Sequence, residues 1–262
     1  MNILLAFKAE PDLSMLPEQA WQEATSGPLD LSYARYQIGL DAQVAAELAL
    51  RQFTHSQAVN LAALTLGGAH SEPFLRQLNA SGFSHLARLE PQSAGDLRFS
   101  PEQVADVLAQ WVKQHPQALV LTGSQSSEGN NAQTGFLLAE RLGWPVLAGV
   151  VDFVVDAANH QLEVELLQDG ERLRCCVALP VVLIVMNDGR YSLRIPGIRQ
   201  KLAASKAPIV TAPAAKHAAN SSPNVVLTRE HYSRRAQKID GATPQEKARL
   251  LYENFLRERL PR

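Results

Sequence analysis

Short apolar runs alternate with amphipathic segments through the first half of the chain. Each run is apolar with few interruptions, as in strands buried on both faces of a parallel sheet. Helical spacing of apolar residues between the runs predicts helices that begin near Asp41, Ser71 and Pro101. The strands are predicted at residues 2–8, 58–66, 85–89 and 118–121. This alternation predicts an α/β fold with a Rossmann-like parallel sheet and right-handed crossovers.

The second half is richer in β-type segments. Asp169-Gly170 lies between two of these segments and is a typical hairpin signal. The strands are predicted at residues 150–155, 161–167, 172–179 and 181–186. We therefore expect antiparallel strands to follow the parallel half and to add to the same sheet.

The C-terminal part divides into shorter pieces. A short helix is predicted over 196–206, and the Ala/Pro/Ser-rich stretch 206–223 is typical of a linker. A final amphipathic helix is predicted within 237–259, and its apolar face needs a surface to lie on. We place an α/β domain over residues 1–195, and a docking segment, linker and C-terminal arm over residues 196–262.

The stretch from Gln117 to Gly143 has the pattern strand, polar loop, helix. Residues 123–131 are small and polar, and Asn130 or Asn131 can cap the helix that follows. Such a turn directs free backbone N–H groups and the positive end of a helix towards a ligand, usually a phosphate. Most connections of this kind bind nothing, but they average only ~2–6 residues. The longer loop favours a ligand site, with Glu128 either solvated or in contact with the ligand.

The net charge of −1 hides an uneven distribution. Residues 1–188 carry 10 basic and 21 acidic residues, whereas residues 189–262 carry 15 basic and 5 acidic residues. A basic tail is compatible with nucleic acid, with an acidic protein partner or with the acidic body of the same chain. Aromatic residues are sparse in the tail, which argues against a platform for stacking bases.

The cysteines and the apolar runs indicate the compartment. Cys175 and Cys176 are adjacent, so on a strand they point to opposite faces and form neither a metal cluster nor a relaxed disulfide. No run approaches the ~20 apolar residues of a membrane span. We therefore expect a reduced, cytoplasmic protein with no membrane span.

Common catalytic motifs are missing from the sequence. It has no Walker A motif, no Gly-x-Gly-x-x-Gly after the first strand and no Gly-x-Ser-x-Gly. The seven histidines are scattered without metal-ligand spacing. A nucleotide-sized loop without catalytic residues beside it favours a binder or carrier over an enzyme.

Four stretches together resemble the electron transfer flavoprotein β subunit family. The loop 123–135, GSQSSEGNNAQTG, is similar to the family's Gly-Lys-Gln-Ala-x-Asp-x-Asp-x-x-Gln-Thr-Gly. Residues 6–12, AFKAEPD, resemble its Ala-Val-Lys-x-x-Pro-Asp. Asp169-Gly170 with the later Leu-Pro-Val-Val, and residues 187–198, resemble two further family segments. The likeness covers about residues 1–209.

The resemblance implies a fold like that of the adenine-nucleotide hydrolases and an electron-carrier function. A family β subunit binds AMP or FAD, and pairs with an α subunit to carry electrons through an FAD held mainly by α. The cofactor site implied by the resemblance consists of Ala6, Gly39, Leu40, Asp41, Leu66, Gly123, Gln125, Ser126, Ser127, Glu128, Gly129, Asn130, Asn131, Gln133 and Thr134.

The resemblance also implies two protein partners. The segment 190–201 resembles the loop that docks on dehydrogenases, with Ile195 as the apolar anchor and Pro196 and Ile198 beside it. The partner there would be a dehydrogenase or a ferredoxin-type redox protein. The family's C-terminal arm reaches around the α subunit, which would occupy the helix face with Leu251 and Phe255.

The sequence departs from the family pattern at the nucleotide site. Ile38-Gly39-Leu40 stands where the family has Asn-Pro-Phe, and Ser124 replaces the loop lysine. Glu128 and Asn130 replace the two loop acids. Three alternatives therefore stay open: a stand-alone adenine-nucleotide sensor or hydrolase, a structural subunit with a decayed site, and nucleic-acid binding by the tail.

Overall fold

The structure is a computed structural model. It describes residues 1–24, 29–31, 34–55, 59–91, 97–127, 129–156, 158–214 and 238–257. Two compact units are present, Met1–Leu227 and Thr228–Arg262. Among the described residues, no helix is both long and apolar enough to cross a membrane.

Nine strands of the described residues form one sheet, in the order β11-β5-β4-β1-β6-β10-β7-β8-β9. Two more strands, β2 and β3, form a separate antiparallel ribbon. The bounds are β1 Asn2–Phe7, β2 Ala9–Pro11, β3 Tyr36–Ile38, β4 Asn60–Leu66, β5 His85–Glu90, β6 Leu119–Gly123, β7 Val146–Asp156, β8 Gln161–Gln168, β9 Glu171–Ala178, β10 Val181–Val185 and β11 Val210–Pro213.

The sheet is parallel from β11 to β7 and antiparallel from β7 to β9. The predicted α/β class with added antiparallel strands is therefore confirmed. One strand was assigned wrongly: β10 was expected among the antiparallel strands, but it lies between β6 and β7 and is parallel to both. Its five residues are all buried, as expected for a strand covered on both faces.

The stretch 206–223, predicted as a linker, also contains a strand. β11 pairs in parallel with β5 at the edge of the sheet, so residues 210–213 belong to the first compact unit. The domain division that the sequence placed after residue 195 stays a prediction. The strand forms because pairing with β5 satisfies backbone groups that a linker would leave to water.

Helices cover both faces of the sheet. The core around α2 and α3 includes Leu5, Val44 and Leu75, and the core on the opposite face, around α4 and α5, includes Leu4 and Leu138. Successive residues of β1 thus enter different cores, as the period of a strand requires. The helices are α1 Glu18–Glu23, α2 Leu40–His55, α3 Glu72–Ser81, α4 Pro101–Gln114, α5 Thr134–Leu142, α6 Ile198–Ala204 and α7 Pro244–Leu251.

The described part of the second unit is one helix with a π-helical continuation over Tyr252–Leu256. Thr243 caps α7 by accepting a hydrogen bond from the Glu246 N–H at 3.2 Å, so the helix begins within the predicted range 237–259. Leu251 and Phe255 are exposed, at 42% and 37%. This helix therefore presents an apolar stripe.

Candidate functional site

A cavity of about 480 Å³ opens where β1, β4 and β6 end. The chain leaves β1 towards β4 on one side, and returns from β5 to β6 on the other. This reversal of strand order separates the loops and leaves a crevice at the carboxyl edge of a parallel sheet, where ligands of such folds bind.

The predicted cofactor residues divide into two groups. Nine line the cavity: Ala6, Gly39, Leu66, Gly123, Gln125, Ser126, Asn131, Gln133 and Thr134. Five others are described but lie outside its wall: Leu40, Asp41, Ser127, Gly129 and Asn130. Glu128 lies outside the described residues. The sequence motif thus locates the cavity, but only part of the motif faces it.

Two carboxylates hold the loop after β6 in place. Asp41 accepts hydrogen bonds from the Ser124 hydroxyl at 2.5 Å and, through its other oxygen, from the Asn187 N–H at 2.9 Å. Glu10 accepts a hydrogen bond from the Ser127 N–H at 2.8 Å. Glu10 lines the cavity and Asp41 does not. The loop is therefore fixed from two sides before any ligand enters.

Most of the loop's backbone donors are used within the protein. Six N–H groups donate to protein oxygens: those of Ser124, Gln125, Ser127, Gly129, Asn130 and Gln133. The sequence predicted that loop amides would face a phosphate. It also predicted a helix end there, and α5 begins at Thr134, where the N–H groups of the first turn have no partner within the helix.

The start of α5 lies close to β6 and β10. A Cβ at Gly135 would meet Ile184 Cγ1 at 2.6 Å and Thr122 Oγ1 at 2.9 Å, so glycine permits this approach. The predicted asparagine cap is not formed: Gln133 is the N-cap residue without a side-chain bond, and Asn131 accepts the Gln133 N–H at 3.1 Å.

Thr122 is the polar residue of the cavity wall that stands out. Its side chain is buried, the residue being 5% exposed, and its hydroxyl has no hydrogen-bond partner within the described part of the chain. An unpaired buried hydroxyl costs about 1–3 kcal/mol. A polar ligand atom in the cavity would remove that cost.

Part of the cavity wall is aromatic and apolar. Tyr36 and His70 pack ring against ring, with centroids 4.3 Å apart, and both line the cavity. Burial and the nearby Arg88 charge lower the pKa of His70, which keeps its imidazole neutral at pH 7. Further apolar lining comes from Leu97, Pro101, Val104 and Leu108. This wall suits a flat, uncharged ring.

Sequence reasoning missed several residues of this site. Glu10 and Thr122 lie within segments that the sequence singled out, yet their burial depends on strands that meet only in the fold. Tyr36 lies in the long excursion after β1, where no periodicity marked β3. No sequence signal pairs it with His70.

A separate surface is built by residues 187–202. Ile195 and Ile198 are each 86% exposed, whereas Leu193 and Pro196 are buried. Arg194 is held by Glu47, which accepts from its backbone N–H at 3.1 Å and from its guanidinium at 2.6 Å. Pro196, predicted as a partner contact, is thus buried beside the exposed Ile195, and its contact with a partner stays a prediction.

A charge cluster supports the start of this segment. Asp188, whose side chain is 3% exposed, accepts from Arg172 at 2.9 Å and from Arg190 at 2.6 Å, and Glu165 accepts from Arg172 at 2.7 Å. Burial opposes ionisation of Asp188, but the bonds from the two arginines outweigh it and lower its pKa. The hydrogen bond from Arg172 likewise lowers the pKa of Glu165. These charges tie β8 and β9 to the turn after β10.

Metal ligands do not gather anywhere in the described residues: no group of three His, Cys, Asp or Glu side chains could hold an ion there. Cys175 and Cys176 are free thiols.

Comparison with known proteins gives one family. The model of the electron transfer flavoprotein domain matches residues 37–217. The Escherichia coli protein provisionally named electron transfer flavoprotein subunit YgcR is 46% identical, over 99% of both chains. A Schizosaccharomyces pombe protein, also provisionally named electron transfer flavoprotein subunit beta, is 28% identical over 80% of both chains. Human electron transfer flavoprotein subunit beta is 29% identical over 57% of this chain and 59% of its own.

Proposed function

The chain belongs to the electron transfer flavoprotein family, and from that premise we propose that it is a β-type subunit. In this proposal it holds an adenine nucleotide, AMP or FAD, in the cavity at the carboxyl edge of the sheet. It joins an α subunit to form a flavin-based electron carrier between dehydrogenases and an acceptor. The observation that carries the nucleotide proposal is the buried Thr122 hydroxyl beside the start of α5, which has no hydrogen-bond partner among the described residues.

The start of α5 supplies what a phosphate group requires. The N–H groups of the first helical turn, which begins at Thr134, and the positive end of the helix dipole attract an anion. The Thr122 hydroxyl would donate to the same group. Gln133 and Asn131 add side-chain amides to this end of the cavity. Phosphate chemistry therefore fits the residues present.

The apolar end of the cavity suits the ring of a nucleotide. Leu66, Val104 and Leu108 form part of that wall, with the Tyr36–His70 pair nearby. A neutral His70 neither repels nor strongly attracts an aromatic base, so packing decides how the ring lies there. One cavity thus offers donors for a phosphate and an apolar surface for a ring.

A flavin, when bound, supplies the electron-transfer chemistry itself. The contribution of this chain is to bind, to orient and to exclude water. We accordingly propose a carrier subunit and not an enzyme with its own acid–base residues. The adjacent thiols are the reason to propose a reducing, cytoplasmic location.

Two surfaces are proposed as partner sites. Ile195 and Ile198, flanked by Arg194, Arg199 and Lys201, would dock on a dehydrogenase or ferredoxin-type protein with an acidic rim. The exposed stripe with Leu251 and Phe255 would lie against the α subunit. Apolar surface on a capped helix is the usual form of such a contact.

The decisive experiment is co-expression with an α-type subunit from the same genome, followed by purification and mass identification of the released nucleotides. One FAD and one AMP per heterodimer would make this chain an AMP holder, and FAD alone at about two per heterodimer would place flavin on both subunits. A complex without flavin absorbance would refute the carrier function. Nucleotide binding by this chain alone, with no complex, would favour the stand-alone sensor or hydrolase.

A single substitution tests whether the Thr122 hydroxyl contacts the nucleotide. Thr122→Val removes the hydroxyl but keeps the shape of the side chain. We expect nucleotide retention to fall about tenfold, while the ligand-free protein unfolds at the same temperature or higher, because an unpaired hydroxyl has gone. Unchanged retention would show that Thr122 does not contact the ligand. Thr134→Val removes the hydroxyl of another residue that lines the cavity, and its nucleotide retention is measured for comparison.

A further inference from the structure

The carboxylate of Asp41 holds two parts of the chain together. Its Oδ2 accepts hydrogen bonds from the Ser124 hydroxyl at 2.5 Å and from the Gln125 N–H at 3.4 Å. Its Oδ1 accepts the Asn187 N–H at 2.9 Å. We propose that Asp41 joins the loop after β6 and the segment 187–202 into one cooperative unit, so that a nucleotide in the cavity keeps the partner surface formed. This inference rests on the proposed nucleotide site and the proposed partner surface.

The stretch 187–197, which the structure describes throughout, depends on side chains for its shape. It follows β10 and is neither helix nor strand. Five of its backbone N–H groups donate to side-chain oxygens, those of Asn187, Gly189, Arg190, Arg194 and Gly197. Two of these acceptors, Asp41 and Glu47, are carboxylates of α2. Because backbone held in this way opens more easily than a helix or strand, these bonds set how often the stretch opens.

The start of α2 also forms part of the cavity wall. Gly39 and Ala42, which flank the turn with Asp41, line the cavity, as does Ser124. A Cβ at Gly123 would lie 3.1 Å from both the Ala42 nitrogen and the Asp41 Cβ, so glycine lets the loop approach α2 closely. A nucleotide that contacts this wall therefore binds the arrangement in which the loop is closed onto Asp41.

The two bonds of Asp41 are expected to break together. Both oxygens belong to one rigid carboxylate, so loss of the Asn187 bond leaves the group free to turn away from Ser124 as well. A ligand that binds only the closed loop then slows the opening of the segment by the factor 1 + [L]/Kd, whereas it leaves an independent segment unaffected. The coupling is reciprocal, so a partner docked on Ile195 would tighten nucleotide binding by the same factor by which the nucleotide tightens docking.

The test is hydrogen–deuterium exchange of the full chain, measured by mass spectrometry on peptides within 187–197. The nucleotide is AMP, or FAD if FAD binds more tightly, and its Kd is measured by calorimetry on the same preparation. In wild type, nucleotide at about three and about nine times the Kd should slow exchange of these peptides about fourfold and about tenfold. The increase with concentration separates this linkage from a fixed structural effect.

Two variants break the link and one leaves it in place. In Asp41→Ala, the nucleotide dependence should fall below about twofold at about nine times the variant's own Kd. Ser124→Ala should do the same from the cavity side, where only the longer Gln125 bond remains, and it serves if Asp41→Ala does not fold. Glu47→Gln is the matched control: it weakens the hold on Arg194 and speeds exchange, but it keeps the nucleotide dependence.

Several results would overturn the proposal. Wild type that binds nucleotide while 187–197 exchanges at an unchanged rate refutes the coupling and leaves the nucleotide site intact. Dependence that survives in Asp41→Ala and Ser124→Ala assigns the link to the backbone bond from Ser124 to Val185. Dependence that is lost equally in Glu47→Gln shows a general loosening in place of a link through Asp41. Wild type that binds neither AMP nor FAD refutes the nucleotide site itself, and with it this inference.

Discussion

The parallel core and the antiparallel extension are stabilised in different ways. In β10 every residue is buried, and the core strands are held between two layers of helices. In β9 the first four residues are exposed, and its arginines pair with Glu165 and Asp188. The core can exclude water from its cavity, whereas the extension, with the segment that follows β10, presents a charged and apolar surface to solvent. Each region contains a glycine whose substitution by alanine would test how far the surrounding atoms can move.

The largest effect is expected in the extension, at Gly149. This residue has φ +72°, and a Cβ there would lie 2.8 Å from the Leu167 backbone oxygen. Gly149→Ala should lower the free energy of unfolding by about 2–4 kcal/mol, because strand backbone must move in addition to the backbone strain. Gly143→Ala, at φ +67° with nothing within 4 Å, should cost about 1 kcal/mol. Equal losses in urea denaturation would show that the close contact adds nothing.

A smaller loss is expected in the core, at Gly135. Gly135→Ala meets the Ile184 side chain and Thr122 hydroxyl, both of which can shift, so about 1–3 kcal/mol should be lost. Nucleotide retention should also fall, because α5 is pushed away from β6. The double variant with Ile184→Ala removes the two shortest contacts, those with Ile184 Cγ1 and Cδ1, and leaves the one with Thr122 Oγ1. Its unfolding free energy should exceed the additive expectation, and strict additivity would contradict the contact.

The charge cluster around Asp188 and Glu165 should contribute less to the free energy of unfolding than these glycines do. It contributes only at pH values where the two carboxyls are ionised. Asp188→Asn is expected to lower stability by about 1–2 kcal/mol near pH 7, a value reduced by the 45% exposure of Arg172. The pKa values of Asp188 and Glu165 are lowered in the fold. Their stabilisation is therefore complete above the unfolded carboxyl pKa and is lost as pH falls through the folded values.

Chemical denaturation at a series of pH values from 7 down to 3 measures how the free energy of unfolding depends on the ionisation of Asp188 and Glu165. The wild type should lose more stability than Asp188→Asn over that range. Asp169→Asn, in the turn between β8 and β9, is the control, since Asn also tolerates its φ of +51°. Parallel curves for Asp188→Asn and wild type would remove Asp188 from the pH dependence.

The smallest effect on stability is expected at Ile195. Ile195→Ala should change the free energy of unfolding by less than about 0.5 kcal/mol, because the side chain is exposed. Electron transfer from the assembled carrier to its redox partner should nevertheless slow about tenfold. Val154→Ala, another exposed apolar side chain, should leave that rate unchanged. Equal rates for Ile195→Ala and wild type would exclude the anchor role.

The sequence predicts the core better than the edges of the sheet. Continuous apolar runs identified β1, β4, β5 and β6, because burial on both faces leaves little choice of residue. Strand order is not encoded locally, so β10 was grouped with its antiparallel neighbours. β11 is short, ends at Pro213 and has one neighbour, which left nothing apart from its pairing to distinguish it from a linker.

The sequence likewise does not show which distant segments meet at the candidate site. The loop 123–135 was recognised because its composition and spacing are local properties. The position of the Glu10 carboxylate depends on Ser127 and Gly39, residues 117 and 29 positions away in the chain. Which loop amides remain available depends likewise on Asp41 and Val185. Hydrogen bonds between distant segments decide these points, and the sequence does not display them.

The display of Ile195 has a consequence for how such carriers diversify. Leu193 and Pro196 are buried, and the Glu47 carboxylate accepts a hydrogen bond from the Arg194 N–H. The segment is therefore held by the neighbours of Ile195 and not by the Ile195 side chain. Mutation can therefore exchange residue 195 almost without penalty to folding. In the carrier proposed here, a duplicated gene would change its redox partner through this one codon, while the cavity at the carboxyl edge of the sheet is inherited intact.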